Sequence, residues 1–208
     1  MKKKVSVSFL SSKDVIGDLI ELDTTSADYV HVDVMDGKFV KNKYLPFKVL
    51  DKMAYVMKKR LDVHLMVKDP SKYIIKYATL NSEYITIHVE LGKKLDEYFD
   101  LIDSYGIKCG LAINPNTDIT ELTPYLDRID LILVMSVEPG RGGQKFIDAT
   151  TKRIDDIKKM IGKRKILINV DGGINKDTIG KVSNSDIVVS GSYVVGSDNF
   201  EEAITSLK

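Results

Sequence analysis

Histidine and aspartate alternate with apolar residues in two short stretches of the sequence, 31–37 (HVDVMDG) and 61–66 (LDVHLM). Successive side chains of a β-strand point to opposite sides, so each stretch would place its ionisable residues together on one face. A third stretch, 167–171 (LINVD), places Asn169 and Asp171 on one face in the same way. Buried carboxylates without partners are costly, and a divalent cation would compensate both their charge and their lost hydration.

Four of these residues form a candidate metal site, namely His31, Asp33, His64 and Asp171. Two imidazoles and two carboxylates are a suitable ligand set for Zn²⁺, and Fe²⁺, Mn²⁺ or Co²⁺ would also be accepted. The third histidine of the chain, His88, also falls at the end of a strand-like run. Because all three histidines occupy the same end of successive runs, the pattern favours a shared site over separate structural roles.

The residues that must position this site lie in short β-branched runs separated by stretches with helical spacing. The runs are 5–9, 29–34, 61–66, 84–89, 107–113, 131–134, 165–170 and 186–189. Regular alternation of strands and helices with short connections implies parallel strands joined by crossover helices. Eight such units predict a closed (β/α)₈ barrel, with residues 1–208 forming a single domain. An open doubly wound sheet is the structural alternative, but its phosphate fingerprint is missing after the first run.

Glycine-rich turns follow the sixth, seventh and eighth runs, at 138–144 (EPGRGGQ), 171–174 (DGGI) and 190–193 (SGSY). Glycine allows the backbone to approach a ligand closely, so exposed N–H groups in these turns can converge on an oxyanion. In (β/α)₈ barrels the loops after strands seven and eight often bind phosphate. A metal ion on one side of the mouth and a phosphate site on the other would together bind a phosphorylated sugar.

The composition excludes several other classes of protein. The 208 residues are 43% apolar and 29% charged, with a formal net charge of +1. This composition is that of a globular protein, and such a small net charge favours neither a nucleic acid nor a membrane as partner. The chain has one cysteine, Cys109, which we interpret as a buried reduced thiol in a cytoplasmic protein. Neither a signal peptide nor an apolar run of membrane-spanning length is expected.

The combined motifs resemble those of the ribulose-phosphate 3-epimerase family over essentially the whole chain. The matching segments are 8–11 (SFLS), 31–37 (HVDVMDG), 62–67 (DVHLMV), 85–88 (ITIH), 114–115 (NP), 135–140 (MSVEPG), 142–144 (GGQ), 170–173 (VDGG) and 191–192 (GS). The resemblance implies an isomerase of the pentose phosphate pathway that converts D-ribulose 5-phosphate to D-xylulose 5-phosphate. It also implies a homo-oligomer, a state in which barrels of this family often occur.

The resemblance further implies a role for each matched residue. One divalent metal ion per chain, most simply Zn²⁺, would bind His31, Asp33, His64 and Asp171, and the catalytic acid and base would be Asp33 and Asp171. The residues expected to contact the substrate are Ser8, His64, Met35, Met66, Met135, Gly140, Arg141, Gly142, Gly143, Gly172, Gly173, Gly191 and Ser192. The methionines would line the reacting carbon, and the glycines with Ser192 would surround the phosphate.

A few positions depart from the usual family pattern. Lys38 stands where histidine is common, Lys41 where proline is common, and Arg141 where an aromatic residue is common, while segment 42–47 is shorter and differently composed. Arg141 has two open interpretations, a cation near the phosphate or a side chain in solvent. These departures concern the loop over the site and the phosphate contacts.

Three alternative functions remain open at this stage. The first is 3-epimerisation of a hexulose 6-phosphate such as D-allulose 6-phosphate. The second is carbon–carbon bond chemistry, as in orotidine-phosphate decarboxylase or hexulose-phosphate synthase, but the Asp-x-Lys arrangement of those enzymes is replaced here by Asp62-Val-His64. The third is a non-catalytic sugar-phosphate binder, which would tolerate loss of a ligand, whereas all four candidate ligands are present.

Overall fold

The computed structural model describes residues 2–208 and contains a closed barrel of eight parallel strands. In chain order the strands are β1 (Lys4–Ser8), β2 (Tyr29–Asp36), β3 (Lys43–Tyr44), β4 (Arg60–Met66), β5 (Ser82–His88), β6 (Lys108–Ile113), β7 (Leu131–Met135), β8 (Leu167–Asp171) and β9 (Ile187–Ser190). All except β3 belong to the barrel, and β1 closes it by pairing in parallel with both β2 and β9. The predicted (β/α)₈ barrel is confirmed.

Helices cover the outside of the barrel. They are α1 (Val15–Thr24), α2 (Phe47–Met53), α3 (Ser71–Ala78), α4 (Leu95–Asp103), α5 (Ala149–Ile161), α6 (Ser192–Val195) and α7 (Phe200–Thr205). Between β6 and β7 a 3₁₀ helix, Ile119–Tyr125, takes the place of an α-helix, and it contains Pro124. Within residues 2–208 the longest helices stay well short of a membrane-crossing apolar span.

The alternation of side chains along each strand separates two apolar regions. Val30, Val32 and Val34 of β2 point outward and join the large core between barrel and helices. A smaller cluster fills the barrel interior, with members such as Tyr29, Tyr84 and Leu133. Because β2 presents its valines to the helices, the ionisable residues of β2, which the sequence predicted to share one face, must face inward.

The strand register aligns the inward residues of neighbouring strands. His31 pairs with Asp62, and Asp33 pairs with His64, between β2 and β4. Met135 of β7 pairs with Asp171 of β8. Ionisable residues of β2, β4 and β8 therefore reach the carboxyl end of the barrel at similar heights.

Candidate active site

The four candidate metal ligands converge inside the mouth of the barrel. One ligand atom from each of His31, Asp33, His64 and Asp171 lies within 4.8 Å of the other three. His31 Nε2 is 3.6 Å from Asp33 Oδ1 and 3.9 Å from Asp171 Oδ2. His64 Nδ1 is 3.6 Å and 3.8 Å from the same two oxygens. The structure thus brings together the residues that the sequence selected.

The donor set fits a divalent cation. His31 Nε2 and His64 Nδ1 are buried and have no hydrogen-bond partner among the described residues. Ligands about 2.0 Å from a tetrahedral Zn²⁺ are separated by roughly 3.3 Å from one another. The four nitrogen–oxygen separations, between 3.6 and 3.9 Å, are close to that spacing. This His/Asp cluster could hold a metal ion, and the two unpartnered nitrogens both face its centre.

Burial and mutual charge perturb the groups of this cluster in different directions. Burial alone would lower the pKa of His31, but the carboxylates of Asp62 and Asp33 outweigh it and raise that pKa well above its usual range. Burial would raise the pKa of Asp33, but His31 and His64 outweigh it and lower that pKa. Burial raises the pKa of Asp171 to about 7, although the charge of His31 opposes this. The two neighbouring carboxyl groups therefore differ in acidity because they differ in their contacts.

His31 is oriented by a second, fully buried carboxylate. Asp62 Oδ2 lies 2.9 Å from His31 Nδ1 and also accepts hydrogen bonds from Ser6 Oγ at 2.9 Å and Asn169 Nδ2 at 3.2 Å. A carboxylate that accepts from one ring nitrogen leaves the other nitrogen free to coordinate a metal. The sequence predicts that Asp62 shares one face of its strand with His64, but it indicates no role for Asp62.

His64 is held by a chain of two further residues. Its Nε2 lies 2.8 Å from Nε2 of His88, and Nδ1 of His88 lies 3.0 Å from Glu90 Oε2. Burial lowers the pKa of His88 to about 4. Burial would raise the pKa of Glu90, but hydrogen bonds from His88, Thr117 and Asn114 outweigh it and lower that pKa to about 2. The sequence indicated His88 as part of a motif and as a histidine at the same end of the strands as His31 and His64, but it did not indicate Glu90.

A cavity of about 600 Å³ opens above this cluster. Asp33 and Asp171 line it, whereas His31 and His64 are fully buried beneath its floor. The predicted substrate residues that line it are Ser8, Met35, Met66, Met135, Gly140, Arg141, Gly142, Gly143, Gly172, Gly173, Gly191 and Ser192. His64 is the one predicted substrate residue outside this lining. Contact with a sugar stays a prediction for all of these residues. Ser8 Oγ donates a hydrogen bond to Asp33 Oδ2 at 2.7 Å.

The glycine turns form the rim of the cavity on the side of β7, β8 and β9. Gly140, Gly143, Gly172 and Gly173 have positive φ angles. At Gly173, with φ +65°, a Cβ atom would lie 2.6 Å from the backbone nitrogen of Phe146. Such a Cβ would overlap a backbone atom, so this turn requires glycine to bring two loops into contact.

The loop after β2 reaches across to the first glycine turn. β3 of this loop pairs antiparallel with the end of β2, and Asn42 Nδ2 donates to the carbonyl oxygen of Gly140 at 2.8 Å. Lys38, Lys41 and Arg141 are exposed, and Arg141 also lines the cavity. The departures from the family pattern are therefore confined to the loops that border the mouth.

The fold and the position of the cluster place the chain among the (β/α)₈ barrel enzymes, whose active sites lie at the carboxyl ends of the strands. A solved structure with the same fold is 3-keto-L-gulonate-6-phosphate decarboxylase from Vibrio cholerae, with a TM-score of 0.73 over 100% of this chain and 96% of that one. Its sequence identity is 11%, so the likeness shows the fold alone.

Sequence comparison identifies the family. The model of the ribulose-phosphate 3 epimerase family matches residues 4–195. Ribulose-phosphate 3-epimerase of Bacillus subtilis is 36% identical over 99% of this chain and 98% of the relative. The enzyme of the same name from Buchnera aphidicola is 40% identical over 92% of this chain and 87% of the relative. The chain belongs to the ribulose-phosphate 3-epimerase family, as its motifs predicted, and is an enzyme of the isomerase class.

Proposed function

We propose that this enzyme interconverts D-ribulose 5-phosphate and D-xylulose 5-phosphate by proton transfer at C3. One of Asp33 and Asp171 removes a proton from C3, and the other donates a proton to it. The observation that carries the proposal is that both carboxyl groups line one cavity and lie within 4.8 Å of each other. They come from β2 and β8, which β1 and β9 separate in the barrel. Two carboxyl groups approaching from different strands can serve the two faces of one planar intermediate.

Inversion at C3 requires two proton-transfer groups, one on each face of the sugar. One carboxylate takes the C3 proton, and the electrons of the broken C–H bond form the C2–C3 double bond of an enediolate with negative charge on its oxygen. The other carboxyl group then donates a proton to the opposite face of C3, which inverts that centre. In the reverse direction the two groups exchange roles, so each is both an acid and a base.

We further propose that His31, Asp33, His64 and Asp171 hold one Zn²⁺. When bound, this cation supplies Lewis-acid stabilisation of negative charge on the sugar oxygens. The proposal is supported by the two buried, unpartnered imidazole nitrogens that face the carboxylates within the described part of the chain. Ser8 supports Asp33 through its 2.7 Å hydrogen bond.

The remaining predicted residues bind and shield the sugar phosphate. Met35, Met66 and Met135 are buried below the cavity, where their thioethers can pack against the planar intermediate. A thioether has no proton to give, so it cannot quench the carbanion-like carbon. The glycine turns and Ser192 offer backbone N–H groups to the phosphate, and Arg141 can add a positive charge at the rim.

The test uses both epimers labelled with deuterium at C3 and the variants Asp33→Asn and Asp171→Asn. Wild-type enzyme should interconvert the epimers and release label from both. Each variant should lose interconversion by about 10²–10⁴-fold, because one of two proton-transfer groups is missing. The remaining carboxylate still reaches one face, so each variant should release label slowly from one epimer, and the two variants should prefer opposite epimers.

The metal content of each variant is measured in the same samples, so that loss of the cation is separated from loss of a proton-transfer group. Near-normal interconversion by either variant would refute the two-carboxylate scheme. Equal release of label from both epimers by a single variant would refute it as well, since one carboxylate would then serve both faces.

A further inference from the structure

We propose that Glu90 and His88 act as positioning residues that select the tautomer of His64 able to bind the metal. This inference rests on the proposed metal site, and it concerns residues outside the ligand set. His88 is fully buried, and its Nε2 lies 2.8 Å from Nε2 of His64. In a contact between two neutral imidazole nitrogens one must donate and the other accept, so the direction of this hydrogen bond decides which nitrogen of His64 carries the proton.

Glu90 determines that direction. Its Oε1 accepts hydrogen bonds from the backbone N–H of Asn114 at 2.8 Å and from Thr117 Oγ1 at 2.6 Å. Its Oε2 lies 3.0 Å from His88 Nδ1. An ionised carboxylate only accepts hydrogen bonds, so His88 must donate from Nδ1 and present the lone pair of Nε2 to its neighbour.

The direction of the hydrogen bond at His88 in turn fixes the tautomer of His64. Because His88 Nε2 accepts, His64 must donate from Nε2, and its Nδ1 keeps a free lone pair. That Nδ1 atom is the one that lies 3.6 Å from Asp33 Oδ1 and has no hydrogen-bond partner in the described chain. The hydrogen-bonded chain from Glu90 through His88 to His64 thus leaves the lone pair of His64 Nδ1 directed at the centre of the cluster.

The packing around His88 preserves this arrangement. The ring of Phe39 lies 4.7 Å from the ring of His88, and the rings of His64 and His88 are stacked with an angle of 28°. His31 reaches the same result with a single carboxylate, since Asp62 contacts its Nδ1 directly at 2.9 Å. The two metal-binding histidines would therefore use opposite ring nitrogens, each set by its own carboxylate.

The variant Glu90→Gln should reverse the direction of these hydrogen bonds. The backbone N–H of Asn114 can only donate, so the amide oxygen of glutamine should take the position of Oε1 and its NH₂ group should face His88 Nδ1. His88 would then accept at Nδ1 and donate from Nε2. His64 would carry its proton on Nδ1, in the position that a metal ion needs.

Two measurements on the full chain test this inference. Zinc affinity is measured by competition with a chromogenic chelator, and a roughly 10–100-fold weaker affinity is expected for Glu90→Gln. The tautomers are read in the metal-free protein from nitrogen–proton correlation spectra, which are simple because the chain has 3 histidines. His64 should be protonated on Nε2 in the wild type and on Nδ1 in Glu90→Gln.

Glu97→Gln is the matched control, because Glu97 is exposed on α4 and the substitution makes the same change of charge. It should leave both zinc affinity and the tautomers unchanged. If Glu90→Gln does not fold, His88→Gln and His88→Leu replace it. Glutamine keeps an oxygen that can accept from His64 and should retain part of the affinity, whereas leucine has no acceptor and should lose it.

Wild-type zinc affinity and an unchanged His64 tautomer in a folded Glu90→Gln protein would overturn the inference. A wild-type protein that binds no zinc would instead contradict the ligand set of the proposed function. In that case the tautomers of the metal-free protein still decide whether Glu90 controls His64, so the two failures are distinguishable.

Discussion

The glycine turn after β8 allows a quantitative test of how the rim of the site is built. Gly173 has φ +65°, and a Cβ atom there would lie 2.6 Å from the backbone nitrogen of Phe146. Gly106 has nearly the same φ, +68°, but no described atom lies within 4 Å of its Cβ position. Gly106 lies between α4 and β6, at the end of the barrel opposite the mouth. Alanine substitutions at Gly173 and Gly106 therefore separate the cost of backbone strain from the cost of a close contact.

The expected magnitudes follow from this difference. Alanine in a left-handed conformation costs about 1–2 kcal/mol, so Gly106→Ala should destabilise the fold by that amount and leave KM unchanged. Gly173→Ala carries the same cost and must also move the loop around Phe146, which adds about 1–3 kcal/mol. If the shift removes one N–H group from the phosphate, about 1.5–3 kcal/mol of binding is lost. KM for D-ribulose 5-phosphate should then rise about 10- to 150-fold.

Urea unfolding measures the stability of each variant, and steady-state kinetics measures KM. Inorganic phosphate as a competitive inhibitor gives a second measure of the same binding site. Equal values of KM and of the phosphate inhibition constant for Gly173→Ala and Gly106→Ala would refute the assignment of this turn to phosphate binding. Equal destabilisation of the two variants would refute the argument from close contact.

Two further predictions concern the lone cysteine and the choice of substrate. Burial raises the pKa of the Cys109 thiol, so iodoacetamide at pH 8 should not label the native protein and should label it in urea; rapid labelling of the native protein would contradict the burial of this thiol. Measured side by side, kcat/KM should be higher for D-ribulose 5-phosphate than for D-allulose 6-phosphate. The opposite order would favour the hexulose 6-phosphate alternative.

The location of the candidate metal ligands was predictable because a barrel strand has only two faces. Once the valines of β2 are assigned to the outer core, His31 and Asp33 must face inward, and parallel strands carry the inward residues of β4 and β8 to the same end. No distant contact is needed for this inference. The two faces of a strand and the common direction of the strands are sufficient.

The partners of those residues were not predictable in the same way. Glu90 follows β5, and its contacts with Asn114 and Thr117 depend on how the loop after β6 folds back. Asn42 reaches Gly140 across the mouth, a contact that no local pattern encodes. Side-chain pairs of this kind depend on loop conformations, which the apolar spacing of the sequence does not describe.

The segment 119–125 shows a local limit of sequence reasoning. Asp118 caps it, since its side chain accepts a hydrogen bond from the backbone N–H of Thr120 at 2.8 Å. The turn continues as a 3₁₀ helix that includes Pro124. Proline lacks the N–H group of an α-helical hydrogen bond and clashes with the preceding turn, so the cap is followed by a tighter helix instead of an α-helix.

The pairing of β1 with β9, which closes the barrel, has a consequence for folding during synthesis. β1 is synthesised before the other strands of the barrel, yet one of its two edges can be paired only after β9 has been synthesised. Asp171 is likewise made long after His31, Asp33 and His64. Folding during synthesis can therefore assemble an open sheet early, but completion of the His/Asp cluster must wait for β8 and closure of the barrel must wait for β9.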